Sequence, residues 1–207
     1  MATRRSLEKL SRRAGVELGL KGARQVAGKS GLRRRPAPPG QHGRRRMRRE
    51  SDYLQQLREK QKLQWFYGVP AGQLRRYFAA SSRRPEATGE ELLRQLEERL
   101  DNTVYRLGFA GTRAQARQFV THGHVRVNGV RVNRPSYQVK PGDTVSLETE
   151  GSIAPLVRDA ISLGFAVPAW LDVDADTLSG KVTHRPERHE IDVPVDEKRV
   201  VDFFSKY

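Results

Sequence analysis

The 207-residue chain contains no cysteine. Disulfides, thiolate metal sites and cysteine nucleophiles are therefore excluded, and a reducing, cytoplasmic setting fits. No run of roughly 18 apolar residues occurs, so no segment reads as a membrane-spanning helix. The opening residues, MATRRSLEKLSRR, lack the apolar stretch of a secretory signal. The phosphate-cradling loop GxxxxGK[ST] and the nucleophile elbow GxSxG are both missing, so nothing supports catalysis. Acidic residues are outnumbered, with 24 Asp/Glu against 39 Lys/Arg and a formal net charge of +15.

That excess is unevenly placed. Met1–Glu50 holds 16 Lys/Arg and 3 Asp/Glu, or +13; residues 51–144 hold 16 and 9, or +7; residues 145–207 hold 7 and 12, or −5. The gradient implies a basic end for a polyanion and an acidic end for another partner. Arginine dominates the first segment, and its planar fork grips phosphate in two places and stacks on bases. A basic membrane-surface segment would need a broad apolar face, which is absent.

Residues 1–50 read as an arm with one short helix, Ser6–Ala14. Pro36, Pro38 and Pro39 favour an extended path after it, and so apolar-poor a segment is expected to order on its partner. Ser51 suits the N-cap of a helix over Asp52–Tyr67 that Gly68 stops. A second helix is expected over Ala71–Ala80. Thr88 and Glu91 form a capping box opening a helix through Leu92, Leu93, Leu96 and Leu100 toward Leu107. Thr112 and Gln115 form another, opening Arg113–Thr121. Asn128-Gly129 between HVRV and VRV signals a hairpin. Tyr137–Val139 and Thr144–Leu147 read as strands joined by the turn Lys140–Asp143. A helix over Ile153–Leu163 follows, then a short, strand-like remainder with an apolar patch, Val200–Phe204.

The stretch from Leu100 to Glu148 concentrates the signals for RNA. The helix N-terminus at Thr112 offers N–H groups and a positive dipole end to phosphate. Arg113 and Arg117 lie four apart on one helix face, with Gln118 beside them. Arg126 falls on the adjoining hairpin, flanked by His122 and His124. Such a surface suits the shape and backbone of RNA. The two histidines lack a third metal ligand; they read equally as hydrogen-bonding groups near phosphate or as surface residues. Asp172, Asp174 and Asp176 lack the Gly and final Glu of a calcium loop and read as a solvated edge or a contact for a basic protein.

LDNTVYRLGFAGTRAQARQFVTHGHVRVNGVRVNRPSYQVKPGDTVSL resembles the small RNA-binding module named after ribosomal protein S-four. The flanking motifs PGQHG (39–43), SDY (51–53), LREKQKL (57–63), YGV (67–69) and VDEKRVVDFFSK (195–206) extend the resemblance to bacterial members of the ribosomal S-four family itself. It implies an α+β fold: a basic arm over 1–50, a helical body over 51–97 plus 166–207, and an inserted module over 98–165. It also implies a structural, non-catalytic ribosomal component without a cofactor, which binds 16S ribosomal RNA and nucleates assembly of the subunit body. A contact with protein S-five, tied to accuracy, and proximity to protein S-three are implied as well.

The RNA contacts so implied are Arg12, Arg13, Arg33, Arg34, Arg35, Gln41 and His42 in the arm, and Ser51, Tyr53, Arg58, Lys60 and Lys62 on the first body helix. In the module they are Arg106, Thr112, Arg113, Arg117, Gln118, His122, His124, Arg126 and Lys140. Arg44, Arg45, Arg46, Arg48 and Arg49 fall either on the messenger RNA path into the subunit or on ribosomal RNA phosphate. Asp172, Asp174, Asp176, Asp196 and Glu197 are expected to face protein. Many family members carry a zinc-binding cysteine cluster near the start; without cysteine, this arm must rely on packing and RNA contacts. Two rivals use the same module: an RNA-modifying or tRNA-handling enzyme, which would need a catalytic domain, and a free RNA-binding regulator, which an RNA-ordered arm disfavours.

Overall fold

A computed structural model describes residues 6–41, 43, 51–83, 87–148 and 153–206. In chain order its first helices are α1 (Leu7–Ala14), α2 (Gly22–Val26), α3 (Gly31–Arg34), α4 (Asp52–Tyr67), α5 (Ala71–Ser81), α6 (Thr88–Glu97), α7 (Leu100–Arg106) and α8 (Arg113–His122). Strands β1 (Val125–Val127), β2 (Val130–Arg131) and β3 (Thr144–Leu147) follow, then α9 (Ala154–Ile161), β4 (Leu171–Asp174), β5 (Ser179–Val182) and α10 (Glu197–Lys206). Helices beside one antiparallel sheet make this an α+β fold. Two compact units result: residues 1–90 with 193–207, and residues 91–192.

In the first unit, Ser51 Oγ accepts from Leu54 N at 3.4 Å and Gly68 closes α4 in the left-handed region, as the sequence expects. Helix α4 packs on α10. The sequence marks Val200–Phe204 only as an apolar patch in a strand-like remainder, because five residues are too few for a helical period to stand out. The structure makes it helical: Val200 and Phe203, three apart, are buried on one side, and Asp196 Oδ1 caps the start by accepting from Lys198 N and Arg199 N at 3.1 and 3.3 Å. Phe78 and Phe204 stack with centroids 5.0 Å apart.

Residues 6–35 of the arm carry three helices where the sequence predicts one. Helices α1, α2 and α3 are held by polar ties around one fully buried apolar side chain, Leu18. Glu8 Oε2 accepts from Gly31 N at 2.5 Å, and Ser30 Oγ donates to Glu17 Oε1 at 2.6 Å. Arg12 donates to the carbonyls of Arg35, Ala37 and Pro38 at 3.0, 3.0 and 3.4 Å. Composition hides such ties, since they use few residues and no apolar run. Beyond Arg35 the described arm is not helical, as its prolines require.

In the second unit the sheet order is β2-β1-β3-β5-β4, antiparallel throughout. Strands β4 and β5 join through pairs such as Val145↔Gly180. Residues 166–192, expected with the helical body, therefore lie in the same unit as the hairpin. Gly180 allows this approach, because a Cβ there would collide with Leu107. The helix expected to run from Leu92 to Leu107 breaks at Arg99, which is extended (φ −66°, ψ 135°) and bridges Gln138. Tyr137–Val139, expected as a strand, runs along this break instead: Leu100 N donates to Tyr137 O at 2.8 Å and Val139 N to Glu98 O at 2.9 Å.

Strand alternation points Val125, Val127, Val145, Leu147, Leu171 and Val182 into one core with Leu100, Val104, Leu107, Phe119 and Val120. The opposite face is polar. Paired registers carry it from Arg131 through Arg126, Ser146 and Ser179 to Asp174, so its charge runs from basic at the β2 side to acidic at the β4 side.

Candidate nucleic-acid interface

Helix α8 carries the predicted binding face. Thr112 Oγ1 accepts from Gln115 N at 3.1 Å, while Gln115 Oε1 accepts from Gly111 N at 2.9 Å. This cap aligns α8 firmly, though it already takes up the Gln115 N–H at the end expected to face phosphate. Ala116, Phe119 and Val120 bury the inner side and leave Arg117, Gln118 and His122 exposed.

The two arginines are held differently. Arg113 Nε donates to Asn102 Oδ1 at 2.9 Å, and its guanidinium lies 4.4 Å from the centroid of the Tyr105 ring. Asn102 is fixed in turn: its Nδ2 donates to Glu97 Oε2 at 2.6 Å and to Glu97 O at 3.1 Å. Arg106 grips the same buried Glu97 carboxylate with both arms, at 2.9 and 2.6 Å. Arg117 is 45% exposed and reaches Asp101 Oδ2 at 3.5 Å, a carboxylate already engaged by buried Arg99 at 2.9 and 2.7 Å. Arg106, read from sequence as an RNA contact, thus lies mostly within the fold; its side chain is 14% exposed.

The hairpin adds a second basic patch. Arg126 and Arg131 stand opposite each other in register, and both are exposed. Like charges directly opposite are unfavourable, so the pair suits a surface that meets a polyanion. Sequence reasoning named Arg126 and missed Arg131, although the two-residue Asn128-Gly129 turn fixes them as partners. Arg131 Nη2 also donates to His122 O at 3.0 Å, placing a cation at the C-terminal end of α8. Arg134, just beyond, is exposed and was likewise missed.

His124 Nδ1 lies 3.0 Å from Glu148 Oε2, and that hydrogen bond holds the Glu148 carboxyl below its ordinary range. The His122 and His124 rings are 6.2 Å apart. Asn128 ties the turn by donating to Asp143 Oδ1 at 2.8 Å and accepting from Thr144 N at 2.9 Å, which bears out its reading as turn chemistry. Lys140 is exposed on the next turn.

In the first unit several expected contacts have internal partners. Arg12 holds the 35–38 carbonyls, Arg33 pairs with Glu17 at 3.1 Å, and Lys62 pairs with Glu59 at 2.6 Å. Lys60 Nζ sits 5.0 Å from the Phe203 ring centroid; burial and then the nearby Arg75 pull its ammonium pKa down. Tyr53, at 46% exposure, tilts against Phe203. Arg13 and Arg58 border one groove on α4 with Leu57 and Trp65. Arg34, Arg35, Gln41 and Ser51 are exposed. His42, Arg44, Arg45, Arg46, Arg48 and Arg49 lie outside the described residues.

On the acidic side, Asp174 Oδ1 accepts from Asp176 N and Thr177 N at 3.0 and 3.2 Å, closing the β4–β5 turn. The bonds from Thr177 lower its pKa. Asp172 and Asp176 are exposed, Asp196 caps α10, and Glu197 packs beside Gly89. No group of three His, Asp or Glu among the described residues could hold a metal ion, and no described helix is long and apolar enough to cross a membrane.

Known proteins resemble this chain in sequence. Residues 98–145 match the family described as S4 domain, and residues 3–97 match the Ribosomal protein S4/S9 N-terminal domain. Over 200 residues the chain is 49% identical to the small ribosomal subunit protein uS4 of Natranaerobius thermophilus, 51% to that of Dictyoglomus turgidum and 46% to that of Thermus thermophilus. Each alignment covers 96% of this chain and 96% of the relative.

Proposed function

We infer that this chain, which belongs to the ribosomal protein S4 family, is a structural constituent of the small ribosomal subunit that binds ribosomal RNA and is not an enzyme. The near-full-length likeness to proteins named for that subunit carries this conclusion, and the exposed basic set Arg117, Arg126 and Arg131 agrees with it.

In finer detail, the chain binds 16S RNA directly and nucleates assembly of the subunit body. The α8 face and the hairpin read RNA shape and backbone, with Arg113, Arg117, Gln118, His122 and Arg126 in contact and Arg131 added to them. The arm contributes phosphate contacts, and its basic run at 44–49 serves either the messenger RNA path or ribosomal RNA phosphate. The acidic end, through Asp172, Asp176 and Glu197, meets protein; S-five is its expected neighbour, in a contact tied to accuracy. The acidic character of this end supports a basic protein partner.

Two measurements test the reading. The chain should stay with the small subunit through a high-salt wash, and its loss there would mark a transient factor instead. With about 8 phosphates contacted, log K for the 5′ domain of 16S RNA should fall by about 6 to 7 per tenfold rise in salt. A flat response would sink the electrostatic account.

A further inference from the structure

We propose that α7 contains the positioning residues of the RNA face: Asn102, fixed by Glu97, and Tyr105 together hold the Arg113 guanidinium in its binding orientation before RNA arrives. This rests on reading α8 as an RNA-contacting face.

The arrangement is layered. Glu97 is almost fully buried and receives Arg106 through two hydrogen bonds, so its charge is already matched. The same carboxylate and the Glu97 carbonyl both accept from Asn102 Nδ2. That fixes which end of the Asn102 amide is oxygen, and the oxygen is aimed at Arg113 Nε, 2.9 Å away. The Tyr105 ring, one turn on, supplies a wall for the guanidinium plane. A long arginine normally loses rotamer freedom on binding, and a guanidinium already in place loses less.

The chemistry of the acceptor matters. A carboxylate at position 102 would hold Arg113 equally well but would cancel the charge that phosphate must meet. An amide oxygen orients the guanidinium without adding a negative charge of its own. Arg117 is the contrast: it rests against the acid Asp101, exposed and at 3.5 Å, while Arg99 keeps that carboxylate satisfied. Arg117 can therefore leave for phosphate without stranding a buried charge. Helix α7 thus presets one arginine of α8 and leaves the other releasable.

The test uses the full chain and a 5′-domain fragment of 16S RNA. Asn102→Ala should weaken binding about fivefold, the share of one lost hydrogen bond. In an Arg113→Ala background, where no guanidinium remains to be held, the same change should cost nothing further. Equal losses in both backgrounds would show a merely structural role and overturn the proposal.

Because Asn102 is buried, a second measurement avoids substitution altogether. The side-chain 15N resonance of Arg113 Nε–H in the unbound wild type should exchange much more slowly with water than that of Arg126. Matching exchange would overturn the proposal. Failure of the wild type to bind the fragment would instead overturn the reading of α8, and the resonance would still decide whether Arg113 is held.

Discussion

Arg126 and Arg131 occupy directly opposite positions across the β1–β2 hairpin, two cations where pairing alone would favour opposite signs. Arg126→Glu should therefore stabilise the hairpin by about 0.2 to 1 kcal/mol while weakening RNA binding. Urea unfolding and RNA titration of the same variant check both signs. A loss of stability together with unchanged affinity would mean that the pair serves the fold alone.

Gly123 ends α8 with φ +80°, and a Cβ there would strike the Arg131 guanidinium. Gly123→Ala should cost about 1 to 2 kcal/mol through backbone strain and displace Arg131 from His122 O. The midpoint of denaturant unfolding measures the cost. An unmoved midpoint would refute it.

Arg117 is the cleaner probe of the α8 face, because Asp101 keeps Arg99 when Arg117 is removed. Arg117→Ala should lower RNA affinity and change stability by less than about 1 kcal/mol. Unchanged affinity, measured at low and high salt, would show that this arginine is only solvated.

Acid should loosen the second unit through Glu91. Burial works against its charge, but the bonds from Arg94 at 2.9 Å and Arg185 at 3.3 Å outweigh it and hold the pKa below 4.5. The folded state then binds fewer protons than the unfolded one in that window. The stabilisation is complete above pH 4.5 and is lost as pH falls through the folded value. Glu91→Gln should flatten this acid limb in a pH series of thermal unfolding. An identical limb would place the acid sensitivity elsewhere.

The arm offers a test of how it holds without cysteine. Arg12→Ala removes the donor to three carbonyls and should speed amide exchange across residues 31–41, while a chelator leaves exchange unchanged. Exchange that responds to the chelator and not to Arg12 would reverse this account.

Elements with strong local signals could be read from the sequence. Ser51, Gly68, Thr112, Gly123 and Asn128-Gly129 mark ends and turns through chemistry that acts within a few residues, and the structure places each as expected. What escaped depends on distant partners. Helix α10 needs α4 beside it, Arg99 breaks its helix because Gln138 bridges it, and β4 and β5 need β3. The site followed the same rule. The face of α8 could be read from spacing, while the roles of Asn102, Glu97 and Arg131 exist only once α7, α8 and the hairpin meet.

The polar face of the sheet has a kinetic consequence. Its basic β2 side and acidic β4 side give residues 91–192 a permanent electric moment along the strand order. In the field of a folded RNA that moment exerts a torque before any contact forms, turning the hairpin forward and the acidic turn away. Encounters are then filtered by orientation as well as by rate, and the filter fades as salt shortens the reach of the field.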